Sequence, residues 1–286
     1  MADVGGVPIP AAARAPSRGA ALLRRVLSTL VLLPAFVWIV MGAPIWVFGA
    51  TVVLVASLGQ WELTGMFERA GIRVFRALGL VGGTLVTASF ALPISERVVF
   101  TGVLLLTLCA VLWPPRDGRI DWQGMTVTAF GIAYVNWLLG YAFWLRDLDA
   151  GREWVLLLVW VTWLGETAAY LVGSAIGRHA LAPLVSPKKT LEGAGAQLVV
   201  SVLAALIARA WFFPVLSVSE AVLVGAVLGV VGQVGDLVES ALKRSVGVKD
   251  TGHLIPGHGG MLDRIDSLLF NTPVLFYYAV HVGRPA

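Results

Sequence analysis

The sequence predicts an all-α, polytopic integral membrane protein with about nine transmembrane helices and a cytoplasmic N-terminus. Three observations carry this. The 286 residues are 58% hydrophobic and 13% charged, against about a quarter charged in a soluble domain, and mean hydropathy is +0.83. Apolar stretches recur near the roughly 20 residues that cross a bilayer core. Lys and Arg collect in alternate connections between them. So little charge cannot cover a water-facing surface, which excludes a soluble globular enzyme, a disordered chain and a coiled coil.

Residues 1–25, rich in Ala, Pro and Gly, read as a flexible cytoplasmic tail. Arg24-Arg25 before an apolar run resembles a signal-peptide start, but no Ala-x-Ala site follows, so the first helix reads as uncleaved. The predicted spans are 26–42, 44–60, 77–94, 98–113, 125–145, 154–176, 195–213, 219–237 and 267–282. With the N-terminus inside, sixteen of the 21 Lys and Arg lie in inside segments, Arg116 and Arg119 among them. Arg97, Arg146, Arg152 and Arg284 lie outside, and Arg209 snorkels from the outer end of its helix. This bias, rather than nucleic-acid binding, accounts for the net charge of +4. The single cysteine, Cys109, makes no disulfide and is expected to be a small buried hydrophobe.

Residues 26–150 read as N-terminal transmembrane helices with charges mainly in loops; residues 151–286 form a C-terminal catalytic transmembrane region. Ionisable residues inside membrane helices are expensive and mark function. Glu166 lies about 12 residues in from the outer end of its span, roughly 18 Å of helix rise. The next loop carries Ser186-Pro187-Lys188-Lys189-Thr190-Leu191-Glu192-Gly193, an anion site or simply a basic cytoplasmic loop. If the eighth helix continues to Arg244, Asp236, Ser240 and Lys243 share one face, the bland alternative being a surface pair of Asp236 with Lys243. Gly257, Gly259 and Gly260 permit a tight turn whose N–H groups can cradle phosphate. Asp263 and Asp266 then open the last helix, where capping suits both, and Asp266 is expected to do only that. Asp236 and Asp263 are the candidate pair for a shared Mg²⁺, an ion that takes a few carboxylates plus substrate phosphates. With Lys188, Lys189, Lys243, Arg244, Lys249 and Arg264 on the same side, the combination suits phosphoryl or nucleotidyl transfer at a membrane surface.

The run from Ser240 to Asp266 resembles the signature of phosphatidate cytidylyltransferases, the CDP-diacylglycerol synthases. Ser240, Lys243, Arg244, Lys249, Asp250, Pro256, His258, Gly259, Gly260, Asp263, Arg264 and Asp266 fill every fixed position. The specific similarity covers about residues 165–270; residues 1–150 match only as generic membrane helices. Glu166 stands where relatives usually carry Asp, and Ser174 where they tend to carry a basic residue, so Ser174 is left out of the site.

The resemblance implies the reaction of CTP with phosphatidate to give CDP-diacylglycerol and diphosphate, at a bilayer, on the cytoplasmic side of the plasma membrane. It implies a catalytic set of Asp236, Lys243, Arg244, Lys249, Asp250, His258, Asp263 and Arg264. Ser186, Lys188, Lys189, Thr190, Glu192, Ser240, Gly259 and Gly260 would hold substrate. Mg²⁺ would sit on Asp236 and Asp263, with Glu166 and Glu239 as outer metal ligands or as supports behind the direct ligands, and a second cation could join it. Homodimers are typical of the family, and no nucleic-acid partner is expected. The rival readings are a CTP-dependent polyprenol-type lipid kinase or a related lipid cytidylyltransferase of the same fold, and, more remotely, a transporter. The one-sided clustering of charges argues against the transporter.

Overall fold

The computed structural model describes residues 30, 33–112, 122–252, 254 and 259–281. Among them the chain forms α1 (33–41), α2 (Ile45–Arg69), α3 (Arg76–Ser89), α4 (Glu96–Cys109), α5 (Trp122–Asp147) and α6 (Gly151–Ile176). Then follow strands β1 (Ala180–Ala182) and β2 (Ser186–Thr190), and α7 (Leu191–Trp211), α8 (Val218–Ser245) and α9 (Leu262–His281). Each predicted span overlaps one of these helices in its described part. Five of them, α2, α5, α6, α7 and α8, are long and apolar enough to cross a membrane. Helices α3 and α4 have 14 residues each, short of the roughly 20 that a crossing needs. The tail 1–25, Arg116, Arg119, Arg284 and His258 lie outside the described residues.

The exterior is apolar: Trp46, Leu54, Leu85, Leu106, Leu203 and Val230 are all exposed. Such a surface is a liability in water but is matched to lipid tails. Cys109 corrects the expectation of burial: it is exposed on α4. An apolar side chain need not be hidden where the surrounding solvent is lipid.

Two departures from the sequence reading shape the site. The Ser186–Thr190 run, expected to be a loop, pairs antiparallel with Ala180–Ala182. Pro187 favours extended backbone at Ser186 and is tolerated because the ribbon has free edges. Second, α8 and α9 come unusually close. Membrane helices associate through small residues that let backbones approach. On α8, a Cβ at Gly225 would stand 2.6 Å from Val202 Cα of α7, and one at Gly235 would stand 2.8 Å from the Asp266 carbonyl oxygen of α9. Gly235 thus draws α9 up beside its neighbour Asp236. Because α9 begins at Leu262, Asp266 is one turn inside the helix and 8% exposed. The expectation that it only caps the helix is corrected on that ground.

Candidate active site

A cleft of about 760 Å³ opens between α6, the hairpin, α7 and α8. Glu166, Lys188, Lys189, Thr190, Gln233 and Asp236 are among its lining residues. Lys188 is exposed, while Lys189 is half-buried. Lys189 Nζ stands 2.7 Å from Asp236 Oδ1 as an ion pair. Its other N–H groups find no second acceptor among the described residues. Gln233 Nε2 donates to Ala194 O at 2.8 Å and ties α8 to α7 across the floor.

Behind the cleft, carboxylates of Asp236, Glu239 and Asp266 converge within 4.8 Å of one another. Glu239 and Asp266 are buried. Glu239 Oε2 accepts Lys243 Nζ at 2.6 Å, and Glu239 Oε1 is buried with no partner among the described residues. Asp266 Oδ1 accepts the Ser267 N–H at 2.7 Å. Three carboxylates this close repel unless protons or cations offset them, and Lys189 and Lys243 each stand against one of them. The unpartnered oxygen and the all-oxygen donor set therefore fit Mg²⁺.

Asp263, expected to share an ion with Asp236, contacts Lys243, Thr251 and Gly260 here. Its Oδ1 accepts Lys243 Nζ at 2.7 Å. Its Oδ2 accepts Thr251 Oγ1 at 3.0 Å, Gly260 N–H at 2.9 Å and Thr251 N–H at 3.3 Å. Burial pushes the Asp263 carboxyl up, but the hydrogen bond and charge of Lys243 and the N–H donors outweigh it, holding the pKa below its ordinary value. Lys243 thus bridges Glu239 and Asp263, and Asp236 belongs to Lys189, so the surface pair of Asp236 with Lys243 does not form.

The other predicted residues divide by what they touch. Ser240 Oγ lies 3.4 Å from Asp236 Oδ1, on the shared face expected of a continuous α8. Gly259 has φ +82°, the left-handed conformation that makes the turn into α9. Thr190 lines the cleft, but its Oγ1 accepts the Gly193 N–H at 3.1 Å as the N-cap of α7. Glu192 closes the hairpin base through His179 Nδ1 at 2.6 Å. Arg244 donates to the carbonyls of Val185 and Val248, stitching the end of α8 to the hairpin turn. Ser186 starts β2. Lys249, Asp250 and Arg264 are exposed.

Sequence reasoning missed two residues of α2. Arg69 Nη2 donates to Thr251 O at 2.7 Å. Glu62 Oε2 accepts the Leu262 N–H at 2.8 Å. With the second span ended at 60, both read as loop charges. The spacing of Leu63, Met66 and Phe67 was the available signal that the helix continues.

The family model for the cytidylyltransferase family matches residues 23–282. A protein of Escherichia coli (strain K12) named "Uncharacterized protein YnbB" is 40% identical over 174 residues, 61% of this chain and 54% of that protein. A phosphatidate cytidylyltransferase of Staphylococcus epidermidis is 37% identical over 157 residues, and one of Staphylococcus aureus (strain COL) 38% over 159. Each of the latter two matches covers 55% of this chain and 60% of the relative. The matched segments thus span little more than half the length of these relatives.

Proposed function

We propose that this chain, which belongs to the cytidylyltransferase family, converts CTP and phosphatidate to CDP-diacylglycerol and diphosphate. A phosphate oxygen of phosphatidate attacks the α-phosphorus of CTP, and the bond to the β-phosphate breaks as diphosphate leaves. Both reactants are anionic, so the chain's task is neutralisation and positioning. The names of the staphylococcal relatives support the reaction. The observation that carries it is the cationic cleft backed by converging carboxylates, with Lys189 at the boundary.

In this reading Lys189 gives its N–H groups to phosphate oxygens, and Lys188 draws the anions to the mouth. Asp236, Glu239 and Asp266 would hold Mg²⁺, which when bound neutralises charge on phosphate oxygens. Lys243 keeps Glu239 and Asp263 paired away from the cleft mouth, and Gln233 fixes its floor. The apolar exterior of α6 and α7 leaves the acyl chains in lipid. The charge bias supports an N-terminus and a cleft facing the cytoplasm.

The test is an assay in detergent micelles with phosphatidate, CTP and Mg²⁺, quantifying CDP-diacylglycerol and diphosphate for wild type and Lys189→Ala. Diphosphate and lipid product in equal amounts from wild type, with a large loss in the variant, is expected. CDP released with a phosphorylated polyprenol acceptor, and no CDP-diacylglycerol, would make the chain a lipid kinase instead.

A further inference from the structure

Glu62 lies on α2, outside the cleft and outside the signature, yet an unbroken series of contacts joins it to the acidic centre. Its side chain is 6% exposed. Oε2 accepts the N–H of Leu262, the first residue of α9, at 2.8 Å and stands 3.4 Å from the Thr251 hydroxyl. That hydroxyl also lies 3.0 Å from Asp263 Oδ2. Asp263 Oδ1 takes Lys243, whose ammonium holds Glu239 of the carboxylate trio. The backbone is folded tightly over Glu62: a Cβ at Gly252 or Gly260 would stand 2.5 Å from one of its carboxylate oxygens. Glu62 Oε1 has no partner among the described residues. A buried carboxylate with a spare oxygen is costly for a helix that could have carried Leu there. Its charge is favourable at one place, the N-terminus of α9, where it meets a free N–H and the positive end of the helix dipole.

We infer that Glu62 is a positioning residue: from the N-terminal half it fixes the start of α9 and, through Thr251, the orientation of Asp263 that lets Lys243 be shared with Glu239. What is positioned rests on the reaction proposed above; the contact itself does not. Thr251 has one hydroxyl proton. Glu62 Oε2 and Asp263 Oδ2 compete for that proton, and the charge of Glu62 weights the choice between them.

Full-length Glu62→Gln, Glu62→Asp, Thr251→Val and the Glu62→Gln/Thr251→Val double variant are assayed beside wild type. Glu68→Gln, whose parent carboxylate pairs with Arg76 on the exposed end of α2, is the control. Glu62→Gln should lower kcat on the order of 10- to 100-fold while KM for CTP stays within about twofold. Glu62→Asp should recover part of the loss. Thr251→Val should reproduce it, and the double variant should lose no more than the larger single, because the two act through one chain. Wild-type kcat in Glu62→Gln and Thr251→Val overturns the inference, as do losses that multiply in the double or an equal loss in Glu68→Gln. Should Glu62→Gln fail to elute as a folded species, Glu62→Asp and Thr251→Val decide on the same criteria.

Amide exchange at Leu262, measured without substrates in wild type and Glu62→Ala, separates this inference from the reaction. Faster exchange in the variant is expected, and unchanged exchange overturns the contact. A wild type that makes no CDP-diacylglycerol removes the reaction and leaves that exchange result standing. A productive wild type with unaltered variants removes the positioning role and leaves the reaction.

Discussion

Helices α2 to α5 bury mainly neutral polar groups, Gln60, Thr64, Thr87, Thr128 and Asn136, with Glu62 and Arg146 the charged exceptions among the described residues, whereas α8 and α9 bury Glu239 and Asp266 around a Lys243 only 12% exposed. The neutral groups are satisfied mostly at home. Thr64, Thr87 and Thr128 each donate to the carbonyl four residues back on their own helix, and such a bond needs no partner helix. The charges reach between elements. Glu239 takes Lys243 one turn along α8, but Lys243 also needs Asp263 from α9, and Asp236 needs Lys189 from the hairpin. The first half is a scaffold whose neutral polar groups could be exchanged, and the second half is a charge network that ties α8 to α9 and to the hairpin. Glu62 is the one buried carboxylate of the first half among the described residues, and it points into the second half's network.

The sharpest way to break this division is to remove a charge that has no substitute. Asp236→Asn should lower turnover on the order of 10³-fold in protein that remains folded, read as CDP-diacylglycerol formed per enzyme. Lys189→Met comes next. It leaves Asp236 in place and removes donors from the cleft, so kcat/KM for CTP should fall on the order of 100-fold.

Asp263→Asn is expected to act on stability as well as rate, costing about 3 kcal/mol because Lys243 loses one of its two buried partners. The pH sign follows from the depressed Asp263 pKa. Its stabilisation is fully present above the unfolded value of about 4 and is lost as the pH falls through the lower folded value. Thermal unfolding in detergent should therefore show a constant gap between wild type and Asp263→Asn near neutrality and a shrinking gap in acid. A gap that widened in acid would contradict the pairing with Lys243.

The smallest effect belongs to the scaffold. Gln60 is fully buried with neither amide atom partnered among the described residues. Gln60→Met should leave activity intact and change stability by no more than about 1 kcal/mol, in the stabilising direction. Lost activity in that variant would mean that the first half is not merely scaffold.

The helices and the family were legible because both rest on local signals. Apolar runs show the helices, and the spacing from Ser240 to Asp266 carries the signature. The shared face of Asp236, Ser240 and Lys243 followed from helical periodicity alone. Which carboxylates meet did not, because that depends on how closely two helices approach. Asp266 looks like a helix cap until Gly235 is seen to draw α9 against α8. That Asp263 would meet Lys243, Thr251 and Gly260 was not visible either. Thr190 and Glu192 sit in a loop rich in hydroxyls and charge, but the hairpin and the start of α7 use them for their own geometry. Glu62 was hidden by ending a helix at residue 60, since a lone Glu past a predicted span looks like a loop charge.

The most direct measurement is the Mg²⁺ dependence of CDP-diacylglycerol formation by wild type and Asp266→Asn, after metal has been stripped with chelator. The account predicts saturable activation of wild type. It predicts half-activation shifted on the order of 10- to 100-fold higher in Asp266→Asn, with the folded fraction unchanged. An identical Mg²⁺ profile in the two proteins, or full wild-type turnover in excess chelator, would contradict a cation held by Asp236, Glu239 and Asp266.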